Sequence, residues 1–163
     1  AKLETGDGLR MSILELKIPP VIVTLLFAVL MWLVARLTPF APIDAGFRII
    51  VVLLLGVTAT VIGLAGVAAF RKANTTVDPF TPDACTSLVN SGIFRLTRNP
   101  MYLALLLTLA AWGFFLSNFY SLALCVVYVV YMNRFQIVPE ERALEAVFGD
   151  EFIAYKGKVR RWI

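Results

Sequence analysis

Two stretches of this chain carry residue types able to do chemistry, and they lie far apart in sequence. The first is Leu88-Val89-Asn90-Ser91-Gly92-Ile93-Phe94-Arg95-Leu96-Thr97-Arg98-Asn99-Pro100-Met101-Tyr102. It offers a glycine turn, an aromatic at Phe94, a basic pair, and an Asn-Pro step that opens an apolar run. Pro100 suits the first turn of a helix, which makes Asn99 its N-cap. Free N–H groups at such a helix start, beside Arg98, suit an anionic or polar ligand. The plainer use of the same residues is a cap with basic membrane anchors. The second stretch begins at Pro139-Glu140-Glu141-Arg142 and runs to Trp162. Leu144, Val147 and Phe148 fall at helical spacing, Gly149 breaks the pattern, and Phe152 and Tyr155 follow. Glu140 and Glu141 are either a well-made helix start or carboxylates near a bilayer that need a partner and so mark function. The residues alone leave these two readings even.

The absences narrow the chemistry. The chain has no histidine, which removes a histidine-based triad, an HExxH zinc site and a histidine-held haem. Cys85 and Cys125 have no partner pattern and read as free thiols. No P-loop is present, and no GxGxxG lies between a strand and a helix. What remains is chemistry that uses a bound organic cofactor or proceeds without metal.

The elements that must position these residues are membrane helices. Of the 163 residues, 60% are hydrophobic and 16% charged, with a mean hydropathy of +0.82. A small soluble body cannot hide that much apolar surface. Ile18 to Ala35, Ile49 to Phe70 and Asn99 to Asn133 contain no charged side chain. These runs are roughly 18, 22 and 35 residues long, against about 20 needed to cross the hydrocarbon core as helix. The pattern predicts helices from about Pro20 to Leu37 and from just after Asp44, as N-cap, to about Arg71. Gly56, Thr60, Gly63 and Gly66 put small residues along the second, which permits close helix packing in lipid. The longest run is expected to form a hairpin, Met101 to Leu116 and Phe119 to Phe135, turning at Ser117-Asn118.

The expected fold is therefore all-α and polytopic, with about four transmembrane helices, a C-terminal hairpin and a cytosolic C-terminal helix. Four spans put Arg36 and Arg48 on one side and the remaining flanking Lys and Arg, among them Lys17, Arg71, Arg98, Arg134 and Arg161, on the other. By the positive-inside rule both termini are cytoplasmic, in the inner membrane if the source is prokaryotic. The +4 net charge needs no nucleic acid to explain it, because anionic headgroups are the ordinary partner of such residues. Ala1 to Arg10 reads as an expression-tag remnant without a functional part. Residues 11–163 read as one domain, its site drawn from 84–102 and 134–163.

The two stretches together resemble the isoprenylcysteine carboxyl methyltransferase and phospholipid methyltransferase family. LVNSGIFRLTRNPMYL matches the pattern L-V-x-x-G-x-[FY]-x-x-x-R-[HN]-P-x-Y. After the hairpin, EERALEAVFGDEFIAY matches E-E-x-x-L-x-x-x-F-G-x-E-[FY]-x-x-Y. The resemblance covers about half the chain, and the two motifs at the right interval are far more specific than either alone. It implies an integral membrane methyltransferase that uses S-adenosyl-L-methionine and releases S-adenosyl-L-homocysteine. Position by position, it implies cofactor contacts from Leu88, Val89, Phe94, Asn99, Pro100, Met101, Tyr102 and Glu140 or Glu141. Arg98, Asn99 and Arg134 are its catalytic candidates. Eukaryotic members carry histidine where this chain has Asn99, and Asn cannot titrate, so a general base is absent there. Arg134 is the arginine nearest to the position that eukaryotic members use for a substrate carboxylate.

Methyl transfer from a sulfonium needs an aligned nucleophile and a dry, enclosed site. The implied acceptor is lipophilic or lipid-modified: an isoprenylcysteine-type carboxylate, a phospholipid amine or a similar group. Two other readings compete. One is a nicotinamide-dependent reductase of the sterol reductase type; the other is a non-enzymatic membrane scaffold or binding protein.

Overall fold

The computed structural model describes residues 18–73 and 88–163. The leader Ala1 to Arg10, Lys17 and Cys85 lie outside the described residues. Helix α1 spans Pro20–Leu37 and α2 spans Ala45–Lys72. A 3-10 turn, Gly92–Arg95, precedes α3 (Pro100–Phe115) and α4 (Phe119–Met132). A π turn, Asn133–Ile137, leads into α5 (Val138–Phe148), and α6 (Asp150–Lys158) follows. Among the described residues three helices are long and apolar enough to cross a membrane, Pro20–Leu37, Ala45–Lys72 and Phe119–Phe148, and Pro100–Phe115 is a shorter apolar one. The fold is all-α and polytopic, as the sequence predicts.

Sequence punctuation sets most of the boundaries. Pro20 opens α1, where the missing N–H costs nothing. Asp44 caps α2 by accepting the Phe47 N–H at 2.9 Å. Ser117 takes a positive φ of 48° in the hairpin turn. Beside it Asn118, almost fully buried, accepts from Ser121 N at 2.8 Å and donates to Thr38 Oγ1 at 2.8 Å. Helix α2 lies along α3 through its glycines. A methyl added at Gly66 would stand 3.4 Å from Pro100 and Met101, and one at Gly63 3.5 Å from Ala104. Gly56 faces open space, so only part of the small-residue row serves this packing.

The interior is a cluster of Met31, Leu109, Tyr128, Met132 and Ile137, with Tyr102 and Val23 beside it. Two polar contacts inside it join helices. Tyr128 Oη lies 2.9 Å from Thr24 Oγ1, and Ser121 Oγ donates to the Met31 carbonyl at 2.7 Å. Outside, Leu25, Leu26, Leu53, Leu54, Leu64 and Val126 are each about 60% exposed or more, an apolar surface that lipid, not water, must cover.

One expected boundary changes. The last apolar helix does not stop near Phe135 but continues unbroken to Phe148. Pro139 does not start a new helix; the π turn just before it absorbs its missing donor. Val138 N–H bonds back to the Asn133 carbonyl, five residues away, and the widened turn leaves room for the proline ring. Glu140 and Glu141 therefore stand in the middle of a helix rather than at a free N-terminus. At 1.5 Å per residue the whole rod is about 45 Å long, well beyond a hydrocarbon core of about 30 Å. Its α5 end must project past the apolar layer.

Candidate active site

The projecting end of this rod, the start of α3, and the C-terminal tail meet at one end of the bundle. Glu141 is the centre of that meeting. Its Oε1 accepts from Arg98 Nη2 at 2.7 Å and from Arg161 Nε at 3.1 Å, and its Oε2 accepts from Arg161 Nη2 at 2.6 Å. Arg98 and Glu141 side chains are each only 10% exposed. Arg98 is held further by Nη1, which donates to the carbonyls of Lys156 at 3.0 Å and Val159 at 2.8 Å. Its backbone N–H donates to the Arg160 carbonyl at 3.0 Å. The two sequence stretches are thus clasped by one ion-pair group, with the tail as third member.

Glu140, the neighbouring residue, has a different partner. Its Oε2 accepts the Tyr102 hydroxyl at 2.9 Å, and Tyr102 is almost fully buried. Consecutive helix residues point about 100° apart, so the pair divides between two environments. Glu141 is committed to two guanidiniums, and Glu140 bonds a neutral phenol.

Asn99 sits at the N-cap position of α3, but its side chain makes no cap bond. Thr97 Oγ1 accepts the Asn99 N–H instead, at 3.1 Å. Asn99 Nδ2 donates to the Arg161 carbonyl at 2.9 Å, so this amide ties down the tail. Pro100 is buried and Met101 half-buried, both against Gly66 of α2. Leu88, Val89 and Phe94 gather in a second apolar cluster with Phe152 and Tyr155 of α6. The Phe94 ring meets Phe70 edge-on at 5.2 Å. The Tyr155 hydroxyl donates to the Phe94 carbonyl at 2.6 Å, and burial pushes that phenol up to about 12. Beside this cluster a cavity of about 520 Å³ opens, lined by Asn90, Arg95, Glu151, Tyr155 and Lys158 among others.

Arg134 is not drawn into the clasp. It is exposed on the π turn, its guanidinium 5.4 Å from the centre of the Phe135 ring. Among the described residues no group of three or more His, Cys, Asp or Glu could hold a metal ion.

Comparison with known proteins bears directly on this arrangement. The family model for phospholipid methyltransferases matches residues 47–151, which takes in nearly all of α2, the whole of the first stretch and both glutamates. The chain belongs to the phospholipid methyltransferase family. An uncharacterized protein of Haemophilus influenzae is 48% identical over 63 residues, 39% of this chain and the whole of that protein. No solved structure matches. A membrane methyltransferase family agrees with the long apolar helices. The match stops at Glu151, short of Arg161, which completes the clasp.

Sequence reasoning missed several of these residues. Arg161 reads as one more basic anchor in KGKVRRWI, with nothing to single it out. Trp162, whose Nε1 donates to Asn133 Oδ1 at 3.1 Å, and Gln136, fully buried in the π turn, carried no motif. The one available signal was helical phase: Gln136 and Glu140 are four residues apart.

Proposed function

We propose that this chain is an S-adenosyl-L-methionine-dependent methyltransferase acting on a lipophilic acceptor at the cytosolic membrane face. The observation that carries the reading is the clasp. Arg98 and Glu141 come from two motifs of one methyltransferase resemblance, and they are bonded at 2.7 Å. Two residues of unrelated purpose would not need to share a nearly dry ion pair, whose desolvation must be balanced by good geometry.

The donor set suits the cofactor. S-adenosyl-L-methionine supplies an electrophilic methyl group on a cationic sulfur, together with an ammonium and ribose hydroxyls. Glu140 is a carboxylate bonded to a neutral phenol, so it retains accepting capacity toward such groups. Glu141 offsets part of the charge of Arg98 and Arg161, and Glu140 in its ionised form adds a second negative charge that favours a bound cation. Asn99, Pro100, Met101 and Tyr102 shape the wall beside Glu140, while Leu88, Val89 and Phe94 form the apolar flank. Arg98 acts by positioning: its guanidinium fixes Glu141 and the tail backbone. The Lys and Arg bias puts this end of the bundle, and both termini, in the cytoplasm. A lipid-borne acceptor then approaches sideways from the bilayer.

The test is a pair of measurements on the detergent-solubilised protein. S-adenosyl-L-homocysteine should raise its melting temperature and NADPH should not. Labelled methyl groups should pass from S-adenosyl-L-methionine into a total lipid extract. Stabilisation by NADPH alone would overturn the proposal in favour of a reductase, and no response to either ligand would leave a binding protein.

A further inference from the structure

The inward face of the α4–π–α5 rod carries, in order, Tyr128, Met132, Gln136 and Glu140. The first three are fully buried. Gln136 stands apart among them because its amide is half used. Its Nε2 donates to the Ile18 carbonyl at 2.8 Å, while its Oε1 is buried and has no hydrogen-bond partner. The orientation of the amide is not arbitrary. A carbonyl can only accept, so the nitrogen must face Ile18 and the oxygen must be the orphan. Met132, four residues before it, and Ile137, next in sequence, belong to the main apolar cluster, against which Ile18 and Trp162 also pack. Such a place offers little water to satisfy a carbonyl, and buried polar groups in native proteins are seldom left unpaired without a functional reason.

Two further features point to a ligand at this place. Gln136 lies within the π turn, a distortion found disproportionately at functional sites, and one helical turn before Glu140. Arg98 and Arg161 are bonded to Glu141, and Arg134 lies exposed against Phe135.

We infer that Gln136 orients the methyl acceptor: its free Oε1 receives an N–H or O–H from the acceptor's head group and discriminates against an ionised carboxylate. This rests on the methyltransferase reading and narrows its substrate class. A carboxylate would bring oxygen lone pairs against the orphan oxygen. A head group that carries its own donor satisfies the orphan and is held in one orientation beside Glu140.

Two substitutions separate this role from a structural one. Gln136→Met and Gln136→Glu both lose the donor to Ile18, but only the methionine loses the oxygen acceptor. The assay uses vesicles holding either a primary-amine-headed glycerolipid or a lipid-anchored carboxylate of equal chain length, with labelled S-adenosyl-L-methionine. Wild type should favour the amine lipid in kcat/KM by at least about tenfold. Gln136→Met should lose about tenfold or more on that lipid, chiefly in KM, while Gln136→Glu stays within about threefold of wild type. Both should bind S-adenosyl-L-homocysteine as wild type does, which also shows that they are folded. Equal losses in the two variants, or a wild-type preference for the carboxylate lipid, overturn the inference. A wild type that neither binds S-adenosyl-L-homocysteine nor methylates either lipid defeats the methyltransferase reading itself, a separate result.

Discussion

Neutralising Glu141 and neutralising Glu140, one at a time, should damage different properties, although the residues are adjacent and chemically identical. Glu141→Gln leaves Arg98, 10% exposed, with no carboxylate to face. Removing one partner of a nearly buried pair costs about 3–5 kcal/mol, because the remaining charge stays desolvated. The Arg161 contact adds little, since that side chain is 33% exposed and screened pairs contribute under about 1 kcal/mol. For a chain of this size the loss corresponds to a fall in melting temperature on the order of 10 °C. Glu140→Gln keeps an oxygen that can accept the Tyr102 hydroxyl, so stability should change by about 1 kcal/mol or less. Its affinity for S-adenosyl-L-homocysteine should nevertheless fall more than about tenfold, or 1.4 kcal/mol, through loss of the carboxylate charge. Thermal unfolding in detergent, with and without S-adenosyl-L-homocysteine, reads both quantities. If Glu141→Gln melts with wild type, or if Glu140→Gln is the less stable variant with unchanged affinity, the division of labour drawn from the hydrogen bonds is wrong.

Three other perturbations follow from single contacts. Removing residues 160–163 deletes the carbonyls that hold Arg98 N–H and Asn99 Nδ2 and the Arg161 side chain. Equilibrium dialysis should then show binding of S-adenosyl-L-homocysteine weakened by about tenfold or more, whereas an unchanged Kd would place the tail outside the site. Tyr155→Phe loses the 2.6 Å bond to the Phe94 carbonyl and should cost about 1–2 kcal/mol in thermal unfolding. Because burial lifts the Tyr155 phenol from the ordinary 10.0 to about 12, its neutral form stabilises the fold. That contribution is complete below about pH 10 and drains away between about 10 and 12. A stability profile of the phenylalanine variant should lack this alkaline phase. Asn118→Ala strips the cap of α4 and the bonds to Thr38 and Pro39. It should destabilise by about 2 kcal/mol without changing cofactor affinity, measured by the same melting assay.

The apolar helices were legible because their punctuation acts locally. Pro20, Asp44 and Ser117-Asn118 each impose a backbone or capping requirement that holds whatever packs nearby. Pro139 was misleading for the converse reason: a proline tolerated at a helix start is equally tolerated after a π turn, and the residues of that turn, Asn133 to Ile137, have no distinctive composition. The motif residues Arg98, Tyr102, Glu140 and Glu141 could be picked out in sequence, but their pairing could not. Whether a glutamate meets two arginines or one tyrosine depends on rotation about a helix axis, and the π turn shifts that rotation. Asn99 shows the same limit, since a residue well placed to cap a helix is used for the tail instead.

That rotation also gives the π turn a physical purpose. An extra residue in one turn moves every later side chain by about 100° around the axis. With this insertion Glu141 reaches Arg98 and Arg161, Glu140 reaches Tyr102, and Gln136 turns inward while Arg134 remains exposed. A regular helix from Phe119 to Phe148 would put α5 a residue out of phase with α4, and Pro139 would clash with the carbonyl of Phe135. The rod can therefore keep one inward face along the apolar bundle and another, differently phased, at the clasp. The Ile18 and Trp162 contacts to Gln136 and Asn133 hold the turn at both sides and so fix that rotation.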